Sequence, residues 1–270
     1  MEKLRLSWYD NSISRMGKYR FAAGLLAPLV LSAAGSSAEA FLRLIDRPRV
    51  PLAADSARRG EVEHFTYASE ANQRVPGILV KSAAGRLPAV IVLHGTGGTK
   101  EGQTRILRQL AARGFLAVAI DGRYHGERSK AGKGSADYVE AILRAYRTGK
   151  EHPFLYDTVW DVMRLIDYLE TRPDVDASRI GVIGFSKGGM ETYLAAAADP
   201  RIRVAIPCIG VQSFRWALEH NAWQSRASTF QAAVTAAARD AGLSEADAAL
   251  VRRFYDCVAP GIYSDFDGPS

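Results

Sequence analysis

Short β-branched apolar runs alternate along the chain with longer stretches in which apolar residues recur every three or four positions. The runs cover 61–68, 74–81, 89–94, 116–121, 180–185 and 204–209. The first two alternate apolar with polar residues, as antiparallel strands near a sheet edge do. The last four are almost continuously apolar, the pattern of strands buried on both faces. Between them, 101–113, 157–170 and 188–198 carry a helical period, with Val159, Val162, Met163, Ile166 and Leu169 on one stripe of the second. This alternation predicts an α/β fold: a mostly parallel sheet with helices on both faces.

Beyond Gly210 the pattern changes. Segments 214–220, 225–240 and 245–258 read as three helices with no strand between them, a helical insertion over 212–258 that lies on the sheet or caps it. Residues 47–59 are rich in Pro, Ala and Arg and have no period, so 41–60 reads as a lead-in and 61–270 as the domain proper. Ahead of these, a basic stretch at 16–20 is followed by apolar residues 21–34 and an Ala38-Glu39-Ala40 site. That order predicts a secretory signal cleaved before Phe41, with residues 1–15 an extension upstream of a start at Met16. Fourteen helical residues reach only about 21 Å, short of a roughly 30 Å hydrocarbon core, so export without a lasting membrane span is expected, with a membrane-anchored or cytoplasmic chain as the alternative.

Composition narrows the classes. Over 270 residues, 47% hydrophobic and 24% charged side chains describe a chain with a sizeable core, not a disordered or fibrous one. The net charge of +6 is scattered with no like-charge block, so nucleic acid is not an expected partner. Cys208 and Cys257 cannot build a disulfide framework, and no Cys or His spacing suggests a metal.

The chemistry gathers around Gly184-Phe185-Ser186-Lys187-Gly188. The string alone is weak; its context, a buried strand before it and a helix with small residues after it, is the strand-to-helix turn that exposes a nucleophilic serine. A second buried strand runs into His94-Gly95-Thr96-Gly97-Gly98. Such a loop can aim a backbone N–H at a developing oxyanion beside the N–H of the residue after the nucleophile, which makes Thr96 and Lys187 the donors. Phosphate binding fits poorly, because Thr99 separates Gly98 from Lys100 and Glu101 stands where a magnesium-binding hydroxyl belongs.

Residues 93–98, 121–129 and 176–189 together resemble the α/β-hydrolase superfamily, nearest to the dienelactone-hydrolase and prolyl-oligopeptidase-like serine esterases and peptidases. The likeness covers about 61–210. It implies Ser186 as nucleophile, a pocket lined by His94, Gly95, Gly97, His125 and Phe185, a small ester or acyl substrate, and neither cofactor nor metal. It also implies the chain order Ser, acid, His. Here the sequence departs. Of His64, His94, His125, His152 and His220, only His220 follows Ser186, and no histidine follows Asp256, Asp265 or Asp267. His64 falls in an edge strand and His94 suits packing or hydrogen bonding. The favoured expectation is the N-terminal part of a longer serine hydrolase, incomplete at its C-terminal sheet edge, with acid and base beyond Ser270 and little activity as it stands. A non-catalytic binding module and a serine peptidase are the alternatives.

Overall fold

The computed structural model describes residues 39–130, 134–211, 213–220 and 228–262. The start at Met16 and all of the expected signal but Glu39 and Ala40, which open the first helix, fall in residues 1–38, outside that set, and Asp265 and Asp267 lie outside it too.

Seven strands form one sheet: β1 (Asp55–Arg59), β2 (Val62–Glu70), β3 (Gln73–Val80), β4 (Leu87–Leu93), β5 (Leu116–Ile120), β6 (Val175–Phe185) and β7 (Ile202–Cys208). Their order is β1-β2-β3-β5-β4-β6-β7. The β1–β2, β2–β3 and β3–β5 pairs are antiparallel, and β5–β4, β4–β6 and β6–β7 are parallel. The mostly parallel α/β sheet expected from the apolar runs is therefore present. Helices are α1 (39–45), α2 (Thr104–Ala111), α3 (Ala136–Thr148), α4 (Tyr156–Thr171), α5 (Lys187–Ala198), α6 (Phe214–Glu219), α7 (Ser228–Asp240) and α8 (Ala248–Val258).

The sheet separates two apolar layers. On one face α2 alone packs Leu107 and Ala111 against Ile78, Val80, Val92, Ala117 and Ala119. In the larger layer α4 and α5 lie on β2, β4 and β6, and α1, α3, α6, α7 and α8 add side chains to the same apolar cluster. Val159, Val162, Met163, Ile166 and Leu169 of α4 are all buried there, as their stripe predicts.

Several expectations are corrected. The lead-in is not patternless coil: Phe41 and Ile45 of α1 are each 1% exposed, and β1 pairs along β2. Every β1 side chain is exposed, so that strand needs no apolar signature. Because β1 takes the edge, β2 and its His64 lie one strand inside it. Helix α3 was not foreseen, although Tyr138, Ala141, Ile142 and Ala145 give it a buried face. The later helices do not spread over the sheet; α7 and α8 pack chiefly on α3, with Phe254 stacked on Tyr146 at 4.7 Å. Strand β7 is not buried on both faces: Val204 is 56% exposed and Ile206 49%. It is the outermost strand, and α2 reaches only β3, β4 and β5 on its side. Among the described residues no helix is long and apolar enough to cross a membrane.

Candidate active site

Parallel β5, β4 and β6 are neighbours, so their carboxyl ends open along one edge. The chain leaves β4 for β5 on one side and returns to β6 on the other. In sheets of this kind a reversal like the one at β4 is the usual place of a ligand crevice. The loops after these three strands carry the residues singled out from sequence.

One residue, Ser186, joins β6 to α5, with φ 54° and ψ −113°. Non-glycine residues rarely occupy that region, and holding one there costs about 1–3 kcal/mol. Two backbone bonds hold it: Ser186 N–H donates to Cys208 O at 2.9 Å, and Ser186 O accepts from Met190 N–H at 3.1 Å. The flanking glycines permit the approach. A Cβ on Gly184 would lie 2.0 Å from Gly188 O, one on Gly188 2.5 Å from Leu93 O, and one on Gly189 2.7 Å from Cys208 O. All three clashes are with backbone, which cannot swing aside. Gly184→Ala is accordingly expected to cost about 1–3 kcal/mol or more, as overpacking does. Urea unfolding measures it, and an unchanged midpoint would contradict the close approach.

The loop after β4 faces this turn. A Cβ on Gly95 would stand 3.5 Å from the Ser186 Cβ and 3.3 Å from Phe185 O. Thr96 is exposed, and Gly97 turns the chain at φ 76°. No backbone hydrogen bond takes the Thr96 N–H among the described residues. Lys187 opens α5, where N–H groups lack partners in the preceding turn. Phe185 is half-buried against the α2-side layer.

Beneath these loops lies a buried polar layer. His94 is 2% exposed; its Nε2 accepts from Gly122 N–H at 3.0 Å, so its proton sits on Nδ1, which donates to Gly95 O at 2.8 Å. Burial, together with the Lys187 ammonium, pushes its pKa down to about 3. His125 is fully buried and donates from Nδ1 to Arg123 O at 2.7 Å, leaving Nε2 without a partner. Burial, then Lys187 and His94, drive its pKa down to about 2. Both rings are neutral at pH 7.

The Lys187 side chain turns inward rather than into the crevice. Its Nζ pairs with Glu191 one helical turn on at 2.6 Å and lies 5.9 Å from the Tyr138 ring centre. Burial raises the Glu191 carboxyl above its ordinary range. A Thr158 hydroxyl also bonds Glu191, and its Oγ1 accepts from Arg123 N–H at 3.2 Å, joining α5 to the loop after β5.

Lys100, which a nucleotide loop would aim at phosphate, is 1% exposed and neutralised. It pairs with Asp121 at 2.8 Å, Glu127 at 2.6 Å and Glu101 at 2.7 Å. Asp121 also accepts from the N–H groups of Lys100 and Glu127, so the two loops are tied at their bases. Neither Asp121 nor Glu191 was singled out from sequence. Glu191 was findable, since it stands four residues after Lys187 on an otherwise apolar helix.

None of the described histidines hydrogen-bonds the Ser186 hydroxyl. Both His94 nitrogens are taken, His125 Nε2 and His152 Nδ1 have no partner, and His220 bonds Trp216 O and stacks on that indole at 4.3 Å. His64 lies in β2 opposite Ala57 of β1 and lines a surface pocket that Asp55, Arg59 and Glu127 also line. Cys208 and Cys257 are free thiols. Among the described residues no three His, Cys, Asp or Glu side chains are grouped to hold a metal ion.

The sequence profile of the dienelactone hydrolase family matches residues 75–252, from β3 through the loops above into α8. The chain belongs to the dienelactone hydrolase family. YtaP of Bacillus subtilis is 29% identical over 187 residues, covering 62% of this chain and 60% of YtaP. The chain spans 49% to 60% of the length of the first curated relatives it matches. Among solved structures, an acetyl xylan esterase from Paenibacillus sp. R4 superposes with a TM-score of 0.61 at 20% identity, covering 83% of this chain and 70% of that one. Acetyl xylan esterase 1 from Thermoanaerobacterium sp. gives 0.59, also at 20% identity, over 85% and 75%. The likeness is one of fold: this family member has the α/β-hydrolase architecture.

Proposed function

We propose that the chain is a serine esterase with Ser186 as nucleophile, acting on small ester or acyl substrates. The supporting observation is Ser186 in a strained turn between β6 and α5, packed against the glycine loop that follows β4. Ser186 Oγ attacks the carbonyl carbon while its proton passes to solvent water, the carbonyl π-bond pair moves onto the oxygen, and that oxygen accepts from the N–H groups of Thr96 and Lys187. No described histidine takes that proton, so ester turnover by this chain is expected to be slow. The oxyanion donors and substrate binding alone leave roughly 10³–10⁴-fold over water. The same observation favours a second reading, a binding module that keeps the pocket without chemistry.

Stoichiometric phosphonylation separates the two. Incubation with a fluorophosphonate, followed by peptide mass spectrometry, is expected to place one adduct on Ser186 and none in Ser186→Ala. A wild-type chain without an adduct would favour the binding module. Equal labelling of Ser186→Ala would remove the nucleophile assignment.

A further inference from the structure

We infer that His94 is a positioning residue whose Nδ1–H holds the Gly95 carbonyl inward and so aims the Thr96 N–H at the reacting carbonyl oxygen. This rests on the reading of Ser186 and Thr96 just given. The geometry starts from the peptide plane. Gly95 C=O and Thr96 N–H belong to one trans peptide and point in opposite directions. That carbonyl accepts from two groups inside the loop, His94 Nδ1 at 2.8 Å and Gly98 N at 3.0 Å. Turning it inward turns the Thr96 N–H out, away from the ring, and no backbone acceptor competes for it among the described residues.

The ring is built to stay in place. Its other nitrogen accepts from Gly122 N–H at 3.0 Å, which fixes the tautomer and joins the glycine loop to the loop after β5. The chain wraps closely around it: a Cβ on Gly98 would lie 3.1 Å from both the His94 Cβ and Gly95 O. At 2% exposure, water has little access to either bond. The groups facing the ring are Lys187 from α5, Lys100 from its own loop and His125, whose ring centre is 5.0 Å away. Burial first, and the two lysine cations after it, keep the ring neutral, and a second ring proton would also sacrifice the Gly122 bond. One side chain thus aims the donor and latches its loop.

Two amide substitutions divide these roles. His94→Asn can put Nδ2 where Nδ1 stands, keeping the bond to Gly95 O and losing the one from Gly122. His94→Gln can bring Oε1 to the place of Nε2, keeping the Gly122 bond and losing the donation to Gly95. Fluorophosphonate labelling rates at Ser186 and thermal midpoints are measured for both. The expected result is H94N within about threefold of wild type and H94Q slower by about tenfold or more, short of the 10²–10³ lost with a whole oxyanion donor. Equal rates, or rates that merely follow the midpoints, would overturn the aiming role. Ring ¹⁵N spectra of the wild-type chain are expected to show the Nδ1–H tautomer from pH 5 to 8, and an Nε2–H ring would overturn the geometry itself. Absence of any label on wild type would instead sink the nucleophile reading, with the ring spectrum still deciding the hydrogen bonds.

Discussion

Replacing Asp161 with alanine is expected to cost about 3–5 kcal/mol of folding stability, the usual consequence of removing one partner from a buried ion pair. Asp161 is wholly buried on α4, and its carboxylate is the shared partner of two guanidinium groups. Arg123 reaches it through Nε at 2.8 Å and Nη2 at 3.0 Å, and Arg128 through Nη1 at 2.6 Å. The two arginines hold the carboxyl well below the usual carboxylate range despite its burial. Without it, Arg128 keeps only Gln73 and the Asp121 carbonyl, while Arg123 keeps Glu70. Both cations belong to the loop after β5, which also supplies Gly122 to His94 and carries His125. The loss should therefore reach the crevice as well as the fold. Urea unfolding at pH 7 gives the stability change, and Ser186 labelling gives the local one. Asp161→Asn, which keeps an acceptor but not the charge, should fall between wild type and alanine. A loss below about 1 kcal/mol for alanine would mean that solvent replaces the pair, as it does for exposed ion pairs.

Strand interiors were legible in the sequence because apolar composition reports burial on both faces, and β4 and β5 have it. The turn at Ser186 was legible for a related reason. Glycines at 184, 188 and 189 mark where two backbones touch, and each would clash with backbone if it carried a side chain. Strand β1 was illegible because every side chain is in solvent, and it is held by backbone pairing with β2 and by the polar bonds of Asp55 to Thr66 and Arg74. Strand β7 misled in the opposite direction. Its valine and isoleucine suit a buried strand, but exposure depends on what packs beside it, and α2 stops at β4. The site shows the same division. Ser186, Thr96 and Lys187 could be named because the turn and the glycine loop that carry them are written in local spacing. The polar layer beneath could not, because Lys100 meets Asp121 across 21 residues and Arg123 meets Asp161 across 38. Long-range charge pairing leaves no local pattern. Lys187 is the instructive case: local spacing offers its N–H as an oxyanion donor but says nothing of its ammonium, which points inward to Glu191.

Stability is expected to fall as the solution is acidified from pH 7 toward 5, well before carboxylates protonate. His94 and His125 have pKa values pushed down to about 3 and about 2, and burial also lowers that of His152. In the unfolded chain each imidazole titrates near 6.5. Below that pH the unfolded state binds protons that the native state refuses, so stability declines from about pH 6.5 downward and is restored as pH rises. Two buried rings give a limiting slope of about 2.7 kcal/mol per pH unit, at about 1.4 for each proton. Glu191 works against this, because a raised carboxyl lets the native state take up a proton above the ordinary glutamate range. The net fall is therefore expected at about 1–3 kcal/mol per unit between pH 6 and 5. A second stage follows below about pH 4. There Asp161 and Asp174, the latter held down at about 2 chiefly by Arg172 and Lys81 against its own desolvation, lose the stability that their ionised forms supply. Urea midpoints at half-unit intervals from pH 7.5 to 3.5 resolve the two stages. The histidine assignment has its own control: H94N should flatten the first stage by about one proton and leave the second unchanged. A wild-type midpoint that stays level from pH 7 to 5 would mean that the rings accept protons in the folded chain, which the Gly122 bond to Nε2 of His94 forbids.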